Sequence, residues 1–245
     1  MRENPWISRF PTVTQHEHFE RLRTLHALTQ SLCKTAGLSY SMWIELLRNT
    51  QFSRPSDIEL QNEFLGDTEE NSLLIPKKDK SLADEMDETQ PDDVLYRTER
   101  FLWSSLAKTS SLLKSIHPSE TFFNQMKKKA FEAGQQSATT LKLTDPITDC
   151  REICTLLLAA PLLLTPFSKG LFIERTTESH LCVKLLGVPS LSPYPEVRDL
   201  SPSLTPLYQE WIRGYLTKLS KNVHCEFLEK NNSIRLLLST SPYES

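Results

Sequence analysis

Glycine is scarce in this chain of 245 residues, which contains only six. The loops that bind the phosphates of nucleotides need several glycines close together, and the sequence offers little material for such a loop. The Gly-x-Ser-x-Gly pattern of a nucleophile elbow is missing as well. No signature of a nucleotide-binding loop or of an activated serine therefore accompanies this sequence, and we predict no catalytic residues.

The sequence also lacks a strong net charge and a long apolar run. With 28 basic and 31 acidic residues the formal charge is -3, so no overall attraction to nucleic acid or to an anionic membrane is expected. The longest apolar run, residues 156–164, is interrupted by Pro161 and is too short to cross a bilayer. The first residues lack the apolar core of a signal peptide. We expect no transmembrane segment and no nucleic-acid partner.

The five cysteines are an odd number at scattered positions, unlike a disulfide framework. They suit a reducing compartment, so we predict a cytoplasmic protein. Cys150 and Cys154 are four residues apart on a predicted helix and could face one metal ion, but no further ligand pair at metal spacing lies nearby. We interpret both as small buried side chains, and we predict neither a metal site nor a cofactor.

The N-terminal part of the chain has the pattern of packed helices. A capping box at residues 14–17 opens a helix that continues to about Lys34, with Gly37 as its stop. Further helices are predicted at 39–50 and 55–65, which gives a helical N-terminal region over residues 1–65. Residues 66–93 carry ten acidic side chains against three lysines and show no sustained apolar period. We interpret them as a flexible linker, with an acidic docking strip for a basic partner as the alternative.

Residues 94–245 are predicted to form an α+β unit. Helices are expected at 94–116, 121–141 and 145–158, the last capped by Asp145. Strand patterns follow at 162–165, 171–175 and 181–186, and the last two resemble a hairpin. Five prolines between residues 187 and 206 exclude a regular strand there. Helices followed by strands predict an antiparallel sheet packed on helices.

The clearest pattern lies in residues 204–238. Apolar side chains recur at helical spacing from Leu207 to Leu219, which gives one broad apolar face that includes Trp211 and Tyr215. The period then changes to alternation from residue 223, and a polar turn separates this stretch from an apolar run that begins at Ile234. A polar turn between two such runs is typical of a β-hairpin. We therefore predict a helix laid on a pair of antiparallel strands.

This helix and hairpin are similar to the C-terminus of the superfamily that unites 4-vinyl-reductase-type domains with TRAPP trafficking subunits. Residues 211–216, Trp-Ile-Arg-Gly-Tyr-Leu, resemble the aromatic and glycine-containing segment of that family, and residues 223–227 resemble the strand after it. Upstream, residues 130–138 resemble the small-residue patch of the family's early helix, and such a patch favours tight helix packing. The likeness covers about residues 119–240, but the cysteine-rich hairpin that holds zinc in some members is absent here.

The resemblance implies a TRAPP-like module with a mostly apolar cavity between sheet and helices, and a homodimer formed through the helices. The residues proposed to bind a ligand in such a module are Phe131, Leu157, Phe172, Trp211, Arg213, Tyr215 and Phe227. Arg213 could bind a carboxylate or phosphate there, or extend its head group to the surface.

Two classes of function follow from these patterns. The first is a non-catalytic regulatory or scaffold protein, acting in signalling, that binds a small apolar ligand, a protein partner or both. The second is a hydrolase-like enzyme whose polar residues meet only in the folded chain. An apolar cavity with few titratable groups would favour the first class, and clustered His, Glu and Cys side chains would favour the second.

Overall fold

The computed structural model describes residues 15–37, 42, 91–139, 141, 147–163, 171–186, 188–192, 194–220, 222–230 and 233–240. Within these residues the helices are α1 (Gln15–Thr35), α2 (Pro91–Ile116), α3 (Glu120–Thr139), α4 (Cys150–Leu158), α5 (Pro195–Asp199) and α6 (Ser201–Leu219). The strands are β1 (Leu171–Thr176), β2 (His180–Leu185), β3 (Val223–Lys230) and β4 (Ser233–Thr240). Helices and an antiparallel sheet confirm the α+β class.

Some predictions fall elsewhere in the chain. The helices predicted at 39–50 and 55–65, apart from Met42, and the acidic stretch up to residue 90 lie outside the described residues. The division into residues 1–65, 66–93 and 94–245 stays a prediction. Among the residues that the structure describes, no helix combines the length and apolarity that crossing a bilayer requires.

Helix α1 forms where its capping box and leucine stripe predict it. Leu22, Leu25, Leu28 and Leu32 are buried, and the helix packs against α2 and α3. It ends before Gly37, whose φ of 69° is a left-handed conformation that favours glycine. The amide of Gly37 donates to the carbonyl of Lys34 at 3.0 Å, so the chain turns away from the helix axis there.

Two local predictions need correction. Helix α4 begins at Cys150, and residues 147–149, which the prediction included in the helix, are not helical; the predicted cap Asp145 lies outside the described residues. The Asp149 carboxylate caps the helix, because it accepts a hydrogen bond from the amide of Arg151 at 2.8 Å. The strand predicted at 162–165 is also wrong where the structure describes it: residues Pro161–Leu163 form a 3-10 helix instead. Both leucines of this short helix are buried, and a run of apolar residues cannot by itself distinguish a strand from a buried turn of helix.

The four strands form one antiparallel sheet in the order β1-β2-β4-β3. Both predicted hairpins are confirmed, and β2 and β4 join them at the centre. One face of the sheet is buried, since Leu181, Val183 and Leu185 stand opposite Leu238, Leu236 and Ile234. Helix α4 lies against this face. Alternate residues therefore point away from the helices.

Helix α6 packs chiefly on α3, next on α2, and only slightly on β3, whereas the sequence predicted a helix laid on the strands. Two glycines explain the difference. A Cβ atom added at Gly134 would stand 2.0 Å from the carbonyl oxygen of Trp211, and one added at Gly214 would stand 2.0 Å from that of Phe131. The two backbones are thus in direct contact at the crossing. The small-residue face of α3 is occupied within the chain and is not available there to a second subunit.

Candidate functional site

The outer face of the sheet carries a groove of about 520 Å³. The register places alternate residues of neighbouring strands side by side on this face. The groove crosses all four strands, and its outward-facing side chains are Arg175 from β1, His180 and Cys182 from β2, His224 and Glu226 from β3, and Leu237 and Ser239 from β4. It is an open groove whose exposed lining is mostly apolar, with these polar and charged side chains placed around the apolar surface.

Strand pairing arranges these side chains in two rows. His180 and His224 both stand opposite Ser239, one from each neighbouring strand. Cys182 and Glu226 both stand opposite Leu237. Directly opposed residues of antiparallel strands have Cβ atoms about 5 Å apart. The groove therefore contains a His-Ser-His row next to a Cys-Leu-Glu row.

A β-bulge brings charged groups of β1 to this face. The pairing of β1 with β2 shifts between Ile173 and Arg175, and such a shift turns an additional residue outward. As a result Glu174 accepts hydrogen bonds from Arg235 Nε at 2.9 Å and from Cys182 Sγ at 3.3 Å. The Arg235 guanidinium, followed by the Cys182 thiol, lowers the pKa of Glu174. An ionised carboxylate thus holds both side chains in place.

The tight turn between β1 and β2 fixes His180. The amide of Thr177 donates to the carbonyl of His180 at 2.7 Å, and the amide of His180 donates to Thr177 Oγ1 at 3.0 Å. The ring nitrogen Nδ1 lies 2.8 Å from the hydroxyl oxygen of Ser179. The imidazole of His180 is therefore held at the end of the groove by its own hairpin.

The four cysteines whose side chains the structure describes are not activated thiols. Desolvation by burial is the largest cause raising the pKa of Cys150, Cys154 and Cys182. Burial likewise raises the pKa of Cys225 to about 12. Since the thiolate is the reactive form, none of these residues has the lowered pKa of a catalytic nucleophile.

Alkylation measures this property directly. At pH 8 we expect Cys225 to react with iodoacetamide at least about 100-fold more slowly than a free peptide thiol, because its thiolate fraction is smaller by more than that factor. Peptide mapping by mass spectrometry after timed quenching gives the rate for each cysteine, and urea-unfolded protein serves as the control. Labelling of the folded protein at the unfolded rate would contradict the burial of this thiol.

Three of the predicted ligand-binding side chains are buried in the core. Trp211 and Tyr215 are at most 1% exposed, and their rings stack at 5.4 Å with an interplanar angle of 17°. Leu157 is fully buried as well. The hydroxyl of Tyr215 donates to the carbonyl of Leu156 at 3.2 Å. The rings of Trp211 and Tyr215 pack against each other, and the role of all three side chains in ligand binding stays a prediction.

The other four are half-buried or exposed. Phe131 is half-buried and contacts Gly214 through its backbone. The Arg213 guanidinium stacks 5.2 Å from the ring centroid of Phe227 and pairs with Glu210 at 2.6 Å. Arg213 extends its head group toward the surface, since 41% of its side chain is exposed. Phe172 is on the outer face, opposite Lys184 and 41% exposed, so the structure does not bring it together with the core side chains.

Two buried tyrosines of α6 provide a matched test of this packing. Tyr215→Phe should lower the free energy of unfolding by about 1 kcal/mol because it removes a buried hydrogen bond. Tyr208 is equally buried, but among the described residues its hydroxyl has no hydrogen-bond partner. Tyr208→Phe should therefore be neutral or stabilising. Urea unfolding of the two variants gives the comparison, and a larger loss for Tyr208→Phe would contradict the assigned hydrogen bonds.

A second group that the sequence analysis missed is a buried ion pair between α1 and α2. Arg21 Nη2 lies 2.9 Å from Glu99 Oε1, and the two side chains are 4% and 0% exposed. The guanidinium also lies 5.5 Å from the centroid of a Trp103 ring. Arg21 shares the helical stripe of Leu25, Leu28 and Leu32, and that position was the available signal that it is buried.

No cluster of three His, Cys, Asp or Glu side chains with the geometry of a metal site occurs in the described part of the chain. The groove offers hydrogen-bond donors and acceptors beside apolar side chains. Such a surface is suited to binding an extended, partly polar segment.

Comparison of this chain with protein-family models, with curated proteins and with solved structures finds no match.

Proposed function

We propose that this protein is a non-catalytic regulatory or scaffold protein of TRAPP-like fold that binds an extended segment of a protein partner in the groove on its sheet. The observation that carries the proposal is the open groove across all four strands, lined by polar side chains on both sides of Leu237. Helix α6 with Gly214, followed by the β3–β4 hairpin, supports the TRAPP-like arrangement. Unpaired thiols support a cytoplasmic location.

The groove fits a peptide better than it fits a small apolar molecule. Arg175 and the two histidines can donate hydrogen bonds, Glu226 can accept them, and Leu237 provides apolar contact. A peptide presents main-chain polar groups and side chains at a similar spacing. Trp211, Tyr215 and Leu157, where an apolar ligand was predicted, are all buried, and the rings of Trp211 and Tyr215 stack on each other.

A peptide library displayed on phage tests the groove. Selected peptides should bind the wild-type protein and bind Leu237→Arg at least about tenfold more weakly, because the new charge occupies the floor of the groove. Leu228→Arg is the matched control, since Leu228 is 42% exposed on the same face but does not line the groove. Equal binding to both variants, or no peptide that depends on Leu237, would overturn the proposal.

Native mass spectrometry tests the apolar ligand separately. We expect gently desalted protein, whether one chain or two, to carry no mass beyond that of its polypeptide, since Trp211 and Tyr215 are buried and stack on each other. A retained apolar molecule that disappears in Tyr215→Trp would instead assign a cavity beside Trp211. This result is independent of the peptide selection, so the two kinds of ligand can be told apart.

A hydrolase-like enzyme is the second candidate, and the His180–Ser239–His224 row favours it. A histidine next to a serine can act as a general base toward the hydroxyl or toward water. On our primary proposal, hydrolysis of p-nitrophenyl acetate by the wild type and by Ser239→Ala should be equal and should not saturate. A saturable rate that Ser239→Ala lowers by about 100-fold or more would favour the enzyme.

A further inference from the structure

The two outer strands of the described sheet differ in regularity. Strands β1 and β3 each have one side that no described strand pairs with. The shorter one, β1, is interrupted by its bulge between Ile173 and Arg175, and a bulge is a common way to prevent pairing at an edge. In contrast, β3 contains no proline and keeps an unbroken register with β4 over all eight residues. It is the edge on which a further strand can form a continuous ladder.

The side chains of β3 are complementary to those of a second, antiparallel copy. If a two-fold axis passes through Cys225, His224 of one chain stands opposite Glu226 of the other, and the same contact occurs twice. A carboxylate accepts a hydrogen bond from an imidazole N–H whether or not the ring is charged. On the helix-facing side, the half-buried Val223 and Phe227 stand opposite each other. Polar groups thus meet polar groups and apolar groups meet apolar groups.

Neighbouring registers lack this match. An axis through Glu226 would place two carboxylates directly opposite each other, and like charges in that position are destabilising. An axis through Phe227 would place Glu226 opposite the apolar Leu228. Of these three registers, only the one centred on Cys225 places polar side chains opposite polar ones and apolar side chains opposite apolar ones without opposing like charges.

We propose that two copies of this chain form a homodimer by antiparallel pairing of their β3 strands around Cys225, which joins the two sheets into one of eight strands. The interface differs from the helix-mediated dimer implied by the family resemblance, whose small-residue face on α3 is occupied by α6 of the same chain. In the dimer, each partner places a His224 and a Glu226 beside the other's groove. The inference does not depend on what the groove binds.

Two single variants and their mixture test this register. His224→Glu places Glu opposite Glu at both symmetric contacts, and Glu226→Lys places Lys opposite His at both, so each variant alone should dissociate at least about tenfold more readily than the wild type. An equal mixture restores Glu opposite Lys at one contact and His opposite Glu at the other. Size-exclusion chromatography with light scattering over a range of concentrations should show the mass of a dimer, twice 28.2 kDa, for the wild type and for the mixture.

The Lys184→Glu variant, at a half-buried position of the inner strand β2, is the control and should stay dimeric, because it changes charge on the same face away from the edge. Far-UV circular dichroism and urea unfolding show whether the single variants fold, which is expected since His224 and Glu226 are exposed. A monomeric wild type at all concentrations would overturn the proposal. Single variants that remain dimeric, or a mixture that remains monomeric, would overturn it as well.

Discussion

Gly134→Ala should lower the free energy of unfolding by about 3 kcal/mol, the upper end of the range for overpacking a filled core. The added methyl would stand 2.0 Å from the carbonyl oxygen of Trp211 and 2.9 Å from the amide nitrogen of Tyr215. Both obstacles are backbone atoms of a helix and cannot rotate away as a side chain can. The helices α3 and α6 must therefore separate, and the packing around Trp211 separates with them.

Whether Gly134→Ala lowers or raises the free energy of unfolding distinguishes a close helix–helix contact from the ordinary effect of helix propensity. At an unobstructed helical position, replacing glycine by alanine stabilises by about 1 kcal/mol, so the close contact must reverse the usual direction. Gln136→Ala, at an exposed position of the same helix, is the control and should change stability by less than about 0.5 kcal/mol. Urea unfolding measures all three proteins. A more stable Gly134→Ala variant would show that the backbones do not touch in solution.

Gly214→Ala supplies a further check because it obstructs the same crossing from the other side. Once one methyl has separated the helices, the second has less packing left to disrupt. The double variant should therefore lose less stability than the sum of the two single losses. Additive losses would place the two glycines in independent environments.

Periodicity in the sequence predicted most of the described elements but not which elements pack against each other. The spacing of Trp211 and Tyr215 predicted that both face the core, and the change of period at Val223 predicted the final hairpin; both are confirmed. The small residues around Gly134 predicted a tight helix contact, yet nothing in a single sequence indicates that α6 makes it. The contact forms only if Gly214 of α6 lies at the same level as Gly134 where the two helices cross, and that alignment is a property of the folded chain.

The groove could not be predicted for a similar reason. Alternation assigns His180 and His224 to exposed positions of two strands, but they meet around Ser239 only because β4 lies between β2 and β3. The strand order is fixed by long-range pairing rather than by local pattern. Glu174 reaches Arg235 only because a bulge turns it outward, and no turn residue marks that bulge in the sequence.

Removing one partner of the Arg21–Glu99 pair should destabilise the fold by about 3–5 kcal/mol, as for other buried ion pairs that lose one member. Glu99→Gln keeps the shape of the side chain and leaves the Arg21 guanidinium without its opposite charge at 4% exposure. Among the described residues, Nε and Nη1 of Arg21 have no hydrogen-bond partner, so nothing there replaces the lost carboxylate. Urea unfolding should therefore show a large decrease in the midpoint.

Replacing both partners by apolar residues should cost much less than replacing one. In Arg21→Met/Glu99→Leu no charge remains in the core, so the penalty of desolvating two ions disappears together with their attraction. We expect this variant to lie within about 1 kcal/mol of the wild type, on either side. The exposed pair of Arg23 and Glu20 on the same helix, 3.0 Å apart, is the control: Glu20→Gln should change stability by less than about 1 kcal/mol. If Glu99→Gln lowers the free energy of unfolding no more than Glu20→Gln does, Arg21 reaches water and α1 does not seal this part of the core. If the double variant is as unstable as Glu99→Gln, the ion pair orients α1 on α2 in a way that apolar packing cannot replace.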